Sequence, residues 1–181
     1  MADLSYGAAF VFDAETEGTM HGLWQSIADA GLQSFMLGLD YPPHMSIFGA
    51  EEMDIPGLRK ALVELAAVTA PLPVTFPALG HFLVGGAVAY LAPLVNRALL
   101  DLHMAFWEAA GPYTRGRPPY LAPGVWVPHV TLTFNTPGEQ VGPVASILTR
   151  TQPLSGKISG VLFGTFVIEG GSQTERLELR G

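Results

Sequence analysis

The spacing of hydrophobic positions changes several times along the chain, and each change marks a predicted element. Apolar side chains recur at helical spacing in segments that predict helices over residues 15–30, 54–68, 93–110 and 139–149. Short apolar runs predict strands over residues 6–13, 35–39, 44–48, 127–134, 157–168 and 173–180. Asp54 is a candidate N-cap of the second helix, with Pro56 in its first turn. Residues 111–126 are rich in Pro and Gly and predict a loop.

One long uncharged stretch tests whether the chain crosses a membrane. The segment between Glu64 and Arg97 contains no Asp, Glu, Lys or Arg and is longer than a spanning helix needs. Prolines and glycines interrupt it repeatedly, and its pieces at residues 73–83 and 86–93 alternate as strands do. We therefore predict a buried hairpin and no membrane partner.

Composition and charge exclude several classes of function. The 181 residues carry a net charge of −7, from 16 acidic and 9 basic side chains, which argues against binding to long duplex nucleic acid. The chain has no cysteine, which excludes disulfides, thiolate metal sites and thiol nucleophiles and is compatible with a reducing cytosol. The N-terminal residues lack the basic region of a signal peptide. We therefore expect a cytoplasmic protein.

An internal repeat divides the chain into two related units. Residues 43–47 (PHMSI) match residues 128–132 (PHVTL), and each match precedes a turn, a helix and a strand. The strands end in similar tetrads, LGHF at residues 79–82 and FGTF at residues 163–166. We predict a single two-lobed domain over residues 1–181, with the duplicated units starting near residues 43 and 128.

Each repeated motif places an imidazole beside a hydroxyl. Side chains alternate across a strand, so His44 and Ser46 share one face of the first motif strand. His129, Thr131 and Thr133 share a face of the second, opposite apolar residues that would point into the core. If the two units pair about a pseudo-twofold axis, two imidazoles and two hydroxyls face each other across a cleft.

This set of side chains suits the chemistry of phosphodiesters. The attacking oxygen must lose a proton while the leaving oxygen gains one on the opposite side of phosphorus. Two histidines with a pKa near 6.5 can hold opposite protonation states at neutral pH, and each proton transfer contributes about 10²–10⁴ in rate. The hydroxyls of Ser46 and Thr131 can donate hydrogen bonds to the non-bridging oxygens. Which histidine is the base is left open by the pseudo-symmetry.

The paired motifs resemble those of the two-histidine (2H) phosphoesterase superfamily, which includes the 2′-5′ RNA ligase-like proteins and cyclic phosphodiesterases. Residues 120–132 (YLAPGVWVPHVTL) are especially similar to the second motif of the bacterial 2′-5′ RNA ligase-like branch. The resemblance implies an α+β fold of two pseudo-symmetric lobes, each an antiparallel β-sheet with flanking helices, around a central groove. It also implies a catalytic tetrad that acts on 2′,3′-cyclic or 2′-5′ phosphodiesters without a metal or other cofactor. Its members would be His44, Ser46, His129 and Thr131.

The shortage of basic residues bears on the substrate. Arg115 and Arg117, in the loop before the second motif, are the two placed to neutralise a phosphate. Tyr120 and Trp126 are candidates to stack on a base, because a loop rich in Pro and Gly cannot bury every aromatic side chain. We expect a monomer whose partner is a small nucleotide, a cyclic phosphate or a short RNA end rather than long RNA.

Two other functions stay open at this point. A non-catalytic module that holds a nucleotide or phosphorylated metabolite in the same groove would show saturable binding without turnover. A hydrolase with Ser46 as nucleophile and Asp13 or Asp40 as the acid is a further alternative. Its geometry fits a Ser-His-acid triad poorly, because side chains two apart on one strand run roughly parallel. A metal site built from the remaining histidines lacks a suitable spacing and is not predicted.

Overall fold

Helices and strands are interspersed from one end of the chain to the other. The computed structural model describes residues 6–32, 35–82, 87–150, 152–167 and 171–181. Four helices lie in these ranges: α1 (Ala14–Asp29), α2 (Ile55–Val68), α3 (Arg97–Ala110) and α4 (Gly138–Leu148). The same ranges contain ten strands: β1 (Tyr6–Phe12), β2 (His44–Ala50), β3 (Glu52–Met53), β4 (Leu72–Phe76), β5 (Ala78–Phe82), β6 (Val88–Ala92), β7 (Thr114–Arg115), β8 (Val130–Thr131), β9 (Leu154–Thr165) and β10 (Gln173–Glu178).

Strand β1 forms the buried centre of the larger sheet. The strand order is β10-β9-β1-β2, with β4 also paired to β9, and every pair is antiparallel. Six consecutive residues of β1, from Gly7 to Phe12, are buried. Both faces of this strand are therefore covered, which explains why its sequence is a continuous apolar run rather than an alternation.

The smaller sheet has the order β5-β6-β8 and is also antiparallel. In each sheet the strand that carries a histidine motif lies at an edge: β2 in the larger sheet and β8 in the smaller. These two edge strands contact each other. The sheets therefore meet along the strands that carry the motifs.

One hydrophobic cluster joins the two sheets and the helices. It includes Phe10 and Met45 from the larger sheet, Val130 from the smaller, and Leu58 and Phe106 from α2 and α3. All five side chains are fully buried. Full burial of one such side chain contributes about 1.5–3 kcal/mol, so the motif strands are anchored to the core by the residues that alternate with the polar ones.

Capping side chains set the N-termini of two helices. The Asp54 carboxylate accepts a hydrogen bond from the Gly57 N–H at 3.2 Å, which confirms the predicted cap of α2. The third helix was predicted to begin at residue 93 but begins at Arg97, because the Asn96 side chain caps it by accepting from the Leu99 N–H at 2.9 Å.

The prediction of a strand at residues 35–39 is wrong. Phe35–Gly38 forms a 3-10 turn that contacts α1, with Met36 buried. A run of five residues has too few positions to separate a period of two from a helical one, so packing decides the conformation.

The second motif strand is shorter than the predicted span of residues 127–134. The ladder is limited to Val130–Thr131, because the N–H groups of Leu132 and Thr133 both donate to the carbonyl of Ala89, at 2.8 and 3.2 Å. The Thr133 hydroxyl in turn accepts from the Ala89 N–H and is fully buried. Strict alternation would place Thr133 on the same face as Thr131. The irregular pairing with Ala89 turns Thr133 into the core instead.

The predicted hairpin at residues 73–93 is divided between the two sheets. β4 pairs with β9 in the larger sheet, and β5 and β6 form a hairpin in the smaller, with Pro77 between β4 and β5. The last predicted strands, 157–168 and 173–180, are observed as β9 and β10, and residue 168 lies outside the described ranges. None of the helices in the described ranges combines the length and hydrophobicity that crossing a bilayer requires.

The repeated tetrads occupy equivalent places in the two sheets. Residues 79–82 lie in β5, and residues 163–166 cover the end of β9 and the residue after it; in each sheet one strand separates the tetrad from the motif strand. Their shared glycine has a steric reason in both units. A Cβ on Gly80 would overlap the ring of Tyr90, and a Cβ on Gly164, whose φ is +140°, would overlap the carbonyl of Gln173.

Candidate active site

The first motif presents one nitrogen of His44 to a cavity. Met45 and Ile47 are fully buried, so His44 and Ser46, which alternate with them, face the opposite side of β2. The Nδ1 atom of His44 lies 3.0 Å from the carbonyl oxygen of Pro42. A carbonyl can only accept, so Nδ1 carries the proton and Nε2 is left as the basic nitrogen of the neutral ring.

The second motif repeats this arrangement. Val130 and Leu132 are buried, and His129 and Thr131, which alternate with them, are half-buried. The Nδ1 atom of His129 lies 2.8 Å from the carbonyl oxygen of Val127, which again stands two residues before the histidine. The same tautomer is therefore favoured in both rings, with Nδ1 protonated and Nε2 unprotonated.

A cavity of about 290 Å³ brings the two histidines together. His44, Ser46 and His129 line it, together with Tyr120 from the loop before the second motif. Thr131 lines a smaller adjoining pocket of about 150 Å³, which shares Tyr41 and His44 with the main cavity. Three of the four predicted tetrad residues thus face one cavity, and the fourth lies beside His44 in the adjoining pocket.

Each imidazole is flanked by one tyrosine and one phenylalanine. Ring centroids of Tyr41 and Phe166 lie 5.3 and 6.3 Å from that of His44. Ring centroids of Tyr90 and Phe82 lie 5.4 and 4.8 Å from that of His129. Aromatic walls restrict the rotation of each imidazole and exclude water from it.

These flanking aromatics had a signal in the sequence that motif reasoning did not use. Phe82 and Phe166 are the last residues of the two repeated tetrads, so the tetrads deliver one phenylalanine to each histidine. Tyr41 and Tyr90 have no common position in the repeat. Their contacts depend on how each lobe folds and had no comparable signal.

Two tryptophans connect each motif to the rest of the structure. The indole N–H of Trp126, which precedes the second motif, donates to the backbone carbonyl of Ser46 in the first at 2.9 Å. The indole N–H of Trp24, on α1, donates to the backbone carbonyl of Thr131 in the second at 3.1 Å. Both bonds end on the hydroxyl residue of a motif, so they fix the backbone from which each hydroxyl projects.

Trp126 was predicted as a stacking platform for a base, and the structure places it behind the first motif instead. Its side chain is 8% exposed. Its ring lies flat against the ring of His103, with centroids 3.9 Å apart, and the Nε2–H of His103 donates to the carbonyl of Ile47 at 3.1 Å. His103 and Trp126 together therefore support the backbone of β2.

The two predicted arginines lie away from the cavity. Arg115 is exposed in β7, where its guanidinium lies 3.8 Å from the carboxylate of Glu52. Arg117 lies over the ring of Trp107, at 4.0 Å from its centroid, and donates to the Trp107 carbonyl. Tyr120 is the one predicted substrate-binding residue that lines the cavity, with 61% of its surface exposed.

Burial lowers the pKa of both histidines. Loss of hydration lowers the pKa of His44 from its usual 6.5, and the nearby charge of His129 lowers it further. Loss of hydration also lowers the pKa of His129. Before a ligand binds, both rings are therefore mostly neutral above pH 6.5, and the repulsion between them disfavours protonation of both at once.

The arrangement can perform paired proton transfer. Each ring offers an Nε2 that can accept a proton when neutral or donate one when protonated, and the cavity between them has room for a phosphoryl group. No group of three or more His, Cys, Asp or Glu side chains suited to a metal ion occurs in the part of the chain that the structure describes.

Comparison with solved structures places the fold in one class. TT0787 of Thermus thermophilus superposes with a TM-score of 0.61 and 16% identity, over 97% of this chain and 98% of the other. LigT of E. coli, in its complex with 3′-AMP, superposes with a TM-score of 0.60 and 14% identity, over 97% and 95% of the two chains. These matches confirm the predicted two-lobed α+β fold.

The sequence itself then defines the family. Residues 23–164 match the family model of the 2′-5′ RNA ligase superfamily. The chain belongs to this superfamily of 2H phosphoesterases, as the paired motifs predicted. A protein of Geobacillus kaustophilus (strain HTA426) that is named as a phosphoesterase is 31% identical over 110 residues, which are 59% of this chain and 60% of that protein.

The tryptophan contacts generate a prediction on stability. We expect Trp126→Phe to lower the free energy of unfolding by about 1–3 kcal/mol, because it removes the donor to the Ser46 carbonyl. Urea denaturation measures the change. Trp107→Phe is the matched control, since the Trp107 ring packs on Arg117 and His103 and none of the described hydrogen bonds joins its indole N–H to a motif strand. An equal loss in both variants would contradict the role assigned to Trp126.

Buried neutral histidines also predict how stability varies with pH. Burial lowers the pKa values of His44, His103 and His129 in the folded chain, whereas in the unfolded chain they titrate near 6.5. The unfolded state therefore binds more protons below pH 6.5, and the free energy of unfolding falls as the pH drops from there through the folded-state values. Urea denaturation at pH 7.5, 6.5 and 5.5 measures this. Stability that rises between pH 7.5 and 5.5 would contradict it.

Proposed function

We propose that this protein is a metal-independent phosphoesterase that acts on 2′,3′-cyclic or 2′-5′ phosphodiesters of nucleotides or short RNA ends. Membership in the 2′-5′ RNA ligase superfamily supports phosphoesterase activity. The observation that carries the finer proposal is the pairing of two imidazoles at one cavity, each with Nδ1 bound to a backbone carbonyl and Nε2 left for the reaction.

The proposed reaction uses one histidine as base and the other as acid. For hydrolysis of a 2′,3′-cyclic phosphate, one neutral Nε2 accepts a proton from water as the water oxygen bonds to phosphorus. The bond from phosphorus to one ribose oxygen breaks, and the other histidine, protonated at Nε2, donates its proton to that oxygen. At the end, the base has gained one proton and the acid has lost one, so exchange with solvent restores the starting state.

We assign the hydroxyls of Ser46 and Thr131 to the non-bridging oxygens. Ser46 lines the main cavity, and Thr131 lines the adjoining pocket on His44. A hydroxyl can donate one hydrogen bond to an oxygen on which negative charge accumulates in the transition state. The indole bonds to the backbone carbonyls of both residues support this assignment, because they fix the backbone from which each hydroxyl projects.

A small nucleotide is the substrate class that we propose. LigT of E. coli has been crystallised with 3′-AMP, with phosphate and with ATP. The cavity of the present protein has room for a phosphate and part of a nucleoside, and Tyr120 at its rim offers a partly exposed ring on which a base can stack. Long RNA is a less suitable ligand for a chain with a net charge of −7.

The alternative of a serine hydrolase receives no support from the described contacts. The Asp13 carboxylate caps α1 by accepting from Thr16, and the Asp40 carboxylate accepts from the backbone N–H groups of Gly171 and Ser172. The Nδ1–H of His44 is bound to a backbone carbonyl rather than to either acid. The negative charge that would stabilise an imidazolium in a triad is therefore held elsewhere.

Turnover assays test the proposal. Nucleoside 2′,3′-cyclic phosphates and 2′-5′-linked dinucleotides are incubated with the protein in a chelator, and products are separated by chromatography. We expect turnover by the native chain and a loss of about 10²–10⁴ in His44→Gln and in His129→Gln, since each removes one proton transfer. The double variant should lose little more than a single one, because the two residues act as a unit.

The exposed His21 on α1 provides the matched control, because His21→Gln makes the same chemical change outside the site. Equal turnover in the native chain and in both active-site variants would contradict the assignment of the histidines. Saturable binding of a cyclic nucleotide with no turnover would favour the non-catalytic binding module instead.

A further inference from the structure

Among the described residues, the lining of the candidate site has no permanent charge of either sign. The main cavity is lined by three tyrosines, two histidines, two phenylalanines, a serine, a leucine and small residues. The adjoining pocket adds apolar residues and Thr131. No Lys, Arg, Asp or Glu of the described ranges lines either of them.

All nine basic side chains of the protein fall within the described ranges, and none of them lines the cavity. Each one forms an ion pair, packs on an aromatic ring or is exposed. Four arginines form ion pairs: Arg59 with Glu175, Arg97 with Asp101, Arg115 with Glu52 and Arg176 with Glu17. Arg117 lies over Trp107. The remaining four are exposed at Lys60, Arg150, Lys157 and Arg180. Phosphate sites usually hold their anion with such cations, so this site must obtain its positive charge in another way.

A protonated histidine is the source of positive charge that the lining offers. His44 and His129 are close enough for the charge of one to act on the other, so the state with both protonated is disfavoured. The neighbouring titratable groups are phenols: Tyr41 contacts His44, Tyr90 contacts His129, and Tyr6 and Tyr120 line the cavity. Burial and the charge of the neighbouring Asp40 raise the pKa of Tyr41, so its phenol stays neutral beside His44. The site therefore favours a single positive charge over two.

We propose that the site selects its ligand by charge and binds a phosphodiester with one negative charge more tightly than a phosphomonoester with two. This inference rests on the proposed function and refines its substrate class. One protonated histidine balances a monoanion within the half-enclosed cavity. A dianion would leave one charge without a partner in surroundings of low dielectric constant, which is costly.

The selection has a consequence for the proposed reaction. Hydrolysis forms a bond from phosphorus to the water oxygen and breaks the bond from phosphorus to a ribose oxygen, so a diester becomes a monoester. The second proton of a phosphate monoester has a pKa of about 6, so the product loses it at neutral pH and becomes a dianion. The product therefore changes to the charge state that the site holds poorly, and this favours its release.

A matched pair of ligands tests the selection directly. Deoxyadenosine 3′-phosphate and its 3′-methyl diester share base and sugar, and neither has the 2′-hydroxyl needed to form a cyclic phosphate. Titration calorimetry at pH 8 should show the diester binding about tenfold more tightly or better, as expected for one unbalanced charge. At pH 5.5 the monoester is mostly a monoanion, and the two dissociation constants should agree within about threefold.

A variant that adds a permanent cation makes the test sharper. Tyr120 lines the rim of the cavity and is largely exposed, so Tyr120→Arg can place a guanidinium there. We expect this variant to bind the monoester at pH 8 about tenfold more tightly than Tyr120→Gln, which removes the same ring without adding charge. Equal affinities for monoester and diester in the native protein at pH 8, no binding of either at any pH, or equal behaviour of the two variants would overturn the charge selection.

The binding test of charge selection and the turnover test of the proposed function can fail independently of each other. Cleavage of a cyclic nucleotide combined with equal binding of monoester and diester would overturn the charge selection and leave the proposed function standing. A tenfold preference for the diester without cleavage of any phosphodiester would overturn the proposed function and leave the charge selection standing.

Discussion

The hydrogen bond from each histidine to the carbonyl two residues before it is the constraint on which the site depends. It fixes the tautomer of both rings, because a carbonyl oxygen can only accept. It also needs a local backbone in which residue i−2 curls back toward the ring, and the prolines at positions 43 and 128 lie between donor and acceptor in both motifs. A change in tautomer would move the free nitrogen away from the cavity and end the equivalence of the two rings.

The rest of the structure reinforces this local geometry from both lobes. Each ring lies between a tyrosine and a phenylalanine, and each motif backbone is held by an indole N–H. Trp126 belongs to the segment before one motif and holds the other, so the two halves of the site are coupled by a direct bond. A pair of proton-transfer groups needs its separation fixed to within a fraction of an ångström, and bonds that run between the lobes serve this need.

The repeat explains why so much of this site could be predicted from the sequence. The duplicated His-x-Ser and His-x-Thr motifs predicted an imidazole on each motif strand; His44 begins β2, whereas His129 directly precedes β8, and the buried residues that alternate with the polar ones fixed the face on which each side chain lies. The span of the second strand could not be predicted, because the double hydrogen bond to Ala89 depends on a neighbouring strand about 40 residues away in sequence. The positions of Arg115, Arg117 and Trp126 could not be predicted either. Arg115 lies in the short β3–β7 ladder opposite Glu52, and the loop that follows is held by contacts of Arg117 with Trp107 and of Trp126 with Ser46, none of which the motifs encode.

No Lys or Arg lines the described part of the cavity, so the positive charge that binds an anion there must come from the two histidines. A site that relies on its own histidines for positive charge must keep one of them protonated while it binds an anion, yet burial favours their neutral forms. Binding of a phosphate group and uptake of a proton are then coupled, and the tautomer of the neutral ring decides which nitrogen receives that proton.

Long-range proton–nitrogen NMR correlation on the histidine rings tests the central claim most directly. At pH 8 we expect His44 and His129 to show a protonated Nδ1 and an unprotonated Nε2, with the exposed His21 as the internal reference. A protonated Nε2 or a mixture of tautomers in either ring would contradict the account.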